Sequence, residues 1–129
     1  MFRSFRKIAR RDGAFYVVMP QPMTRGTSYA LTIAYAGDKV VHKEGGGNFS
    51  VGAHEEWYPS VNPFHDHARY DLTFRVPKEY TLVSVGALDK QWTEQGMACS
   101  HWLSTEPVAV AGFKYGSFKK HEIKDTQSE

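Results

Sequence analysis

His65-Asp66-His67 is the one stretch of the sequence in which residue types and spacing suit a metal ion. In an extended segment, residues two apart point the same way, roughly 6.5–7 Å apart at their Cα atoms. Two imidazoles so placed can share an ion, with Asp71 or His54 as a third ligand. The same run also reads as a polar loop with surface histidines, and that reading is preferred, so no metal site is favoured. His54-Glu55-Glu56-Trp57 opens like a helical zinc motif but lacks the second histidine four residues on, which would put two ligands on one helical face. Glu55 and Glu56 are adjacent, so on a strand they face opposite ways and cannot work as a carboxylate pair. Cys99 and His101 can share a face as nucleophile and base. MACSHW nevertheless reads as a strand in which a small cysteine is buried. Ser84 and Ser100 have no nucleophile-elbow glycines beside them. GGGN at 45–48 is not followed by Lys-Ser/Thr, so it is a flexible loop and not a phosphate cradle. Of the large aromatics, Trp57 and Trp102 read as packing residues. Trp92, amid Asp89, Lys90, Gln91 and Thr93, reads as a hairpin-loop residue and, if exposed, as the best single candidate for a partner contact.

These groups must be positioned by a single small domain. With 129 residues, 41% hydrophobic and 23% charged, the composition is globular and excludes a disordered, collagen-like or coiled-coil chain. A chain of this length buries roughly two-thirds of its unfolded surface, enough for one core without staples. No run approaches the roughly 18–20 apolar residues of a membrane-spanning helix. MFRSFRKIARRDG has no apolar h-region, so no secretory signal is expected there. A lone cysteine excludes an internal disulfide and a cysteine-based zinc site. The net charge of +2 hides an asymmetry, because Arg3, Arg6, Lys7, Arg10 and Arg11 precede a remainder that carries a net −3. A basic face across the whole domain is therefore missing, and nucleic acid is not an expected partner. Phe2, Phe5, Ile8 and Ala9 recur at helical spacing within the basic arm, a pattern compatible with an interfacial helix. A frayed basic arm over residues 1–12 is the plainer reading.

The remaining punctuation is that of an all-β chain. AFYVVMP is stopped by Pro20 and Pro22. SYALTIAYAG alternates, with Tyr29, Leu31, Ile33 and Tyr35 on one face. Gly37-Asp38 marks a turn, after which KVVHKE returns as a short hairpin partner. RYDLTFRVP alternates strictly, placing Tyr70, Leu72, Phe74 and Val76 inward and Arg69, Asp71, Thr73 and Arg75 outward. A turn at KEY leads into TLVSVGAL, and MACSHWLS and VAVAGFKYGSF supply further strands. Strand-like segments every 8 to 15 residues, with no helical repeats between them, predict a mostly antiparallel β-sandwich or saddle-shaped sheet over residues 13–121. The polar tail at 122–129 reads as a linker or frayed end.

WYPSVNPFHDHARYDLTFRVPKEYTLVSVG and STEPVAVAGFKYGSF together resemble the N-terminal β domain of the aminopeptidase N family of zinc metallopeptidases. In that family Phe-Pro-Cys-x-Asp-Glu-Pro leads into a Phe-x-Leu-Thr-Leu-x-Val-Pro strand and a Tyr-x-x-x-Ser-x-Gly turn. A later Thr-x-Pro segment ends in Gly-x-Phe. Tyr58-Pro59-Ser60 stands for the first of these, and Tyr70, Leu72, Thr73, Phe74, Val76 and Pro77 fit the strand. Tyr80, Ser84 and Gly86 fit the turn, while Thr105, Pro107, Gly116 and Phe118 fit the close. The resemblance covers roughly residues 13–121, and the order of the motifs is its stronger part.

It implies a non-catalytic domain that walls one side of a peptide cleft, with zinc held only in a separate catalytic domain and no cofactor of its own. The family's His-Glu-x-x-His helix and Gly-x-Met-Glu-Asn strand are not in this sequence, Asn62-Pro63 replaces the motif's Asp-Glu, and Ser50 stands near the position of the family's amine-binding carboxylate. The family's first strands would precede residue 13, so the sequence is expected to start partway into the domain. His54, Glu55, Glu56, Trp57 and Tyr58 are the residues expected to face the neighbouring catalytic domain or a protein partner. The alternative is a free-standing β-sandwich that binds protein, or a second copy of itself, through an open strand edge. A small metal-binding protein using His65 and His67 is the third reading.

Overall fold

The computed structural model describes residues 16–53, 55, 57–60, 67–118 and 121. The chain divides into two compact units, one ending at Tyr35 and one starting at Ala36. Within the first, the described residues form no strand. Thr24–Thr27 makes a turn closed by a 3.2 Å backbone bond, and the Thr24 N–H donates to the Tyr29 hydroxyl at 2.8 Å. The alternation of Tyr29, Leu31, Ile33 and Tyr35 therefore does not become the expected strand, and all four side chains are exposed. Alternation supplies a two-faced ribbon, but a ribbon becomes a strand only when another backbone pairs with it. Among the described residues none does.

The second unit is all-β, and its described residues contain no helix. Seven strands run β1 (His42–Gly45), β2 (Asn48–Val51), β3 (Asp71–Pro77), β4 (Thr81–Ser84), β5 (Ala87–Glu94), β6 (Met97–Leu103) and β7 (Phe113–Gly116). They form two antiparallel sheets, one ordered β1-β2-β7-β4 and the other β3-β6-β5. The hairpin expected around Gly37-Asp38 is displaced. Val41 does close a turn onto Asp38 at 3.0 Å, but β1 turns back through Gly46-Gly47 to pair with β2. Those glycines have φ of 58° and 79°, the doubly positive pair that matches the twist of a two-residue hairpin. Gln95-Gly96, at 50° and 75°, makes the same turn between β5 and β6. The glycine-rich loop is thus a strand connector.

TLVSVGAL splits at Val85-Gly86 into β4, in the four-stranded sheet, and β5, in the other. Strand β3 alternates as its sequence demands, with Leu72, Phe74 and Val76 inward. Val76 and Trp102 from one sheet meet Leu82 from the other at the centre of the core. Leu72, Phe74, Ala98, Tyr80, Phe113 and Tyr115 close around them. The layers thus form a sandwich-like core built largely from aromatics, each of which removes more apolar area from water than an aliphatic side chain.

Candidate functional site

The irregular aromatic segment is placed by β7 and by the entry to β3. Trp57 packs edge-on against Phe113, centroids 5.2 Å apart, and its Nε1 donates to the Ala111 carbonyl at 2.8 Å. Tyr58 meets Tyr70 edge-on, with the two hydroxyls 2.9 Å apart. Tyr70 is held in turn by Ser104, whose hydroxyl accepts the Tyr70 N–H at 2.7 Å and whose N–H donates to the Tyr70 carbonyl at 2.9 Å. Burial, and secondarily the bond to Tyr58, pushes the Tyr70 phenol up to about 12. Residues 57–58, 70 and 111–113 thereby form one aromatic seam.

A second cluster centres on the three-stranded sheet. His101 lies on the central strand β6, with Asp71 on β3 and Asp89 on β5. The Asp71 carboxylate takes Nε2 at 2.6 Å and the Asp89 carboxylate takes Nδ1 at 2.8 Å. Register explains the first contact. Thr73 pairs directly with His101, so Asp71, two residues earlier on the same face, lies diagonally beside it. The second requires an irregularity. The β5–β6 ladder pairs Leu88 with Trp102 and Lys90 with His101, leaving Asp89 as the extra residue of a bulge that re-aims its side chain. The two carboxylates raise the His101 pKa above the ordinary histidine value, Asp89 most and then Asp71.

The outer face of the four-stranded sheet carries a third set. His42 Nε2 meets Glu55 at 2.8 Å, and the Ser50 hydroxyl donates to Glu44. An open groove of about 560 Å³ runs past the ends of β2, β4 and β7, lined by Val51, Val83, Val85, Val110 and Phe113. Among its described lining residues Lys114 alone ionises, so the groove is an apolar crease with no acid–base pair.

The predicted site residues are distributed among these sets. Trp57 and Tyr58 belong to the seam and are half-buried, while Glu55 is tied to His42. His54, Glu56 and His65 lie outside the described residues. His67 is exposed, and Asp71 spends its carboxylate on His101. Among the described residues no group of three or more His, Cys, Asp or Glu is arranged to hold a metal ion. The Asp71-His101-Asp89 trio illustrates the reason, since its carboxylates occupy opposite ring nitrogens and leave no shared point for a cation.

Trp92 is a correction. It lies within β5, not in a hairpin loop, and is half-buried, with the Lys90 Nζ 5.2 Å from its ring centre. Cys99 is buried at 3% exposure, and His101 has no nitrogen to spare for it. Ser84 donates to the Gly112 carbonyl at 3.3 Å, and Ser100 accepts the Trp102 indole N–H at 3.0 Å. Sequence reasoning missed His42 and Asp89. The first needed the true hairpin partner of β1, and the second needed a bulge that strict alternation hides. Comparison of the chain with protein-family models, with curated proteins and with solved structures finds no significant match.

Proposed function

We propose that the chain is a non-catalytic β module that flanks the cleft of a zinc aminopeptidase-like protein and docks on its separate catalytic domain. One observation carries the reading: the segments with family-like motifs pack on one another. Tyr58 meets Tyr70 at the start of the motif strand, and Trp57 meets Phe113 and Ala111 in the closing segment. Chemistry on the chain itself has little support, because His101, Ser84, Ser100 and Glu55 are each engaged in internal contacts. The resemblance assigns His54, Glu55, Glu56, Trp57 and Tyr58 to the face toward that neighbour, and the described Trp57 and Tyr58 are half-buried, with part of each side chain open to it. The test is to sequence the encoding DNA beyond both ends. A frame continuing past Glu129 into Gly-x-Met-Glu-Asn and His-Glu-x-x-His is the expected result. A start at Met1 and a stop after Glu129 would overturn the reading. The chain alone, supplied with zinc, is also expected to leave an aminoacyl reporter unhydrolysed.

A second reading draws on β4. Among the described residues it pairs with β7 on one side only, and its own Val83 is 38% exposed along the apolar groove. An open edge next to an apolar crease suits an added extended strand, from another protein or from a second copy of this chain. Sedimentation decides it: a dimer or a peptide complex supports the edge, and a strictly monomeric, non-binding chain counts against it.

A further inference from the structure

We propose that Asp71, His101 and Asp89 form a proton-operated clasp, which holds the first half of β5 to the sheet while the imidazole is charged and releases it when the proton leaves. A charged imidazole has an N–H at each nitrogen and can donate to both carboxylates at once, whereas a neutral ring has one N–H. Deprotonation therefore leaves a ring lone pair facing a carboxylate at 2.6 or 2.8 Å, an arrangement that repels. The contact that yields is the one to Asp89. Asp71 lies in an unbroken ladder paired with Leu103, whereas Asp89 sits at the bulge and has no partner in the register. Among the described residues β5 pairs only with β6, so its bulged start has no second strand to retain it.

The other charged groups on this face do not substitute for the proton. From β3, Arg75 reaches away to the turn, donating to Gln95 at 3.2 Å. From β5, Lys90 stands opposite His101 in register but carries its Nζ over Trp92, and Glu94 is paired with Met97 at the far end. On β6 itself, the Cys99 thiol is buried and turned toward the Met97 carbonyl. With the His101 pKa raised by both carboxylates, the clasp is fully closed below the ordinary histidine value. It opens as pH rises through the higher folded-state value.

The test is an NMR titration of the intact chain that follows the His101 ring nitrogens together with amide exchange along β5. Exchange is corrected for its intrinsic base catalysis. Expected is a His101 midpoint above that of a free histidine, with Leu88–Lys90 amides losing protection at the same midpoint and Thr93 and Glu94 keeping theirs. Asp89→Asn and Asp71→Asn should each lower the midpoint and remove the step in β5 exchange, because a neutral ring then keeps its one N–H for the remaining carboxylate and accepts from the asparagine amide. A midpoint at or below the free value overturns the proposal, as does β5 protection that stays flat through the titration. Both outcomes are read on the unmodified protein, so neither depends on a variant folding.

Discussion

The indole of Trp57 donates to the carbonyl of Ala111 across a sequence separation of 54 residues, at 2.8 Å. Ala111 is fully buried, so its carbonyl has no ready access to water as a substitute donor. Phe at position 57 would keep the edge contact with Phe113 and lose the donor, leaving a buried acceptor unpaired at a cost of about 1–3 kcal/mol. Trp57→Ala would lose the ring as well and should cost more. Urea unfolding of the two variants checks the order. If both unfold like the parent, the bond from Trp57 to Ala111 is not formed in solution, and the packing on which the proposed function rests is lost with it.

Tyr70 offers a titration that reads the same seam. Its phenol is raised from 10.0 to about 12, so folding holds a proton that the unfolded chain would release. The stability tied to that proton is intact below pH 10.0 and declines as pH rises toward about 12. The tyrosinate absorbance band should therefore show one tyrosine titrating late. Tyr58→Phe removes the smaller causes and leaves burial, so the late step should move down without reaching the ordinary value. A step that does not move would mean the 2.9 Å hydroxyl contact is not formed in solution.

The sequence reveals the parts of this fold whose signal is local. RYDLTFRVP states its own two faces, and β3 obeys them because both neighbours of the pattern, core and solvent, are present. SYALTIAYAG states a pattern just as clear and forms no strand, because pairing depends on a partner that alternation cannot name. The β1–β2 hairpin was masked by its own turn, since three glycines read as a loop until the φ values show a connector. His101 was visible as a residue two from Cys99, but its two carboxylates come from other strands. One of them reaches it only through a bulge.

Trp92 bears on whether the outer face of the three-stranded sheet is a contact surface. Cross-strand register places it beside Cys99, which has Arg75 on its other side, so the thiol's 3% exposure follows from that flanking pair. Trp92→Ala should strip one side and also end the Lys90 cation–π contact, an interaction of about 0.5–1 kcal/mol at exposed sites. A lower melting temperature and faster modification of Cys99 by a thiol reagent are expected together. Unchanged values of both would return Trp92 to the role of a free partner contact.

Gly86 is the joint at which the chain leaves one sheet for the other, and its backbone has φ of 89°. A Cβ there would strike the Leu103 carbonyl, backbone that belongs to the strand β5 pairs with. Gly96 provides the comparison, because it has φ of 75° with open space around the position of a Cβ. Gly96→Ala should therefore cost only the left-handed strain, about 1 kcal/mol. Gly86→Ala must add a displacement of β5 against β6 and should cost at least about 2 kcal/mol more, near the upper range for single substitutions. Parallel denaturant titrations of the two variants measure the difference. Equal losses would mean that the crossover relaxes without disturbing β6, and that the two sheets are joined at Gly86 by a hinge instead of a fixed corner.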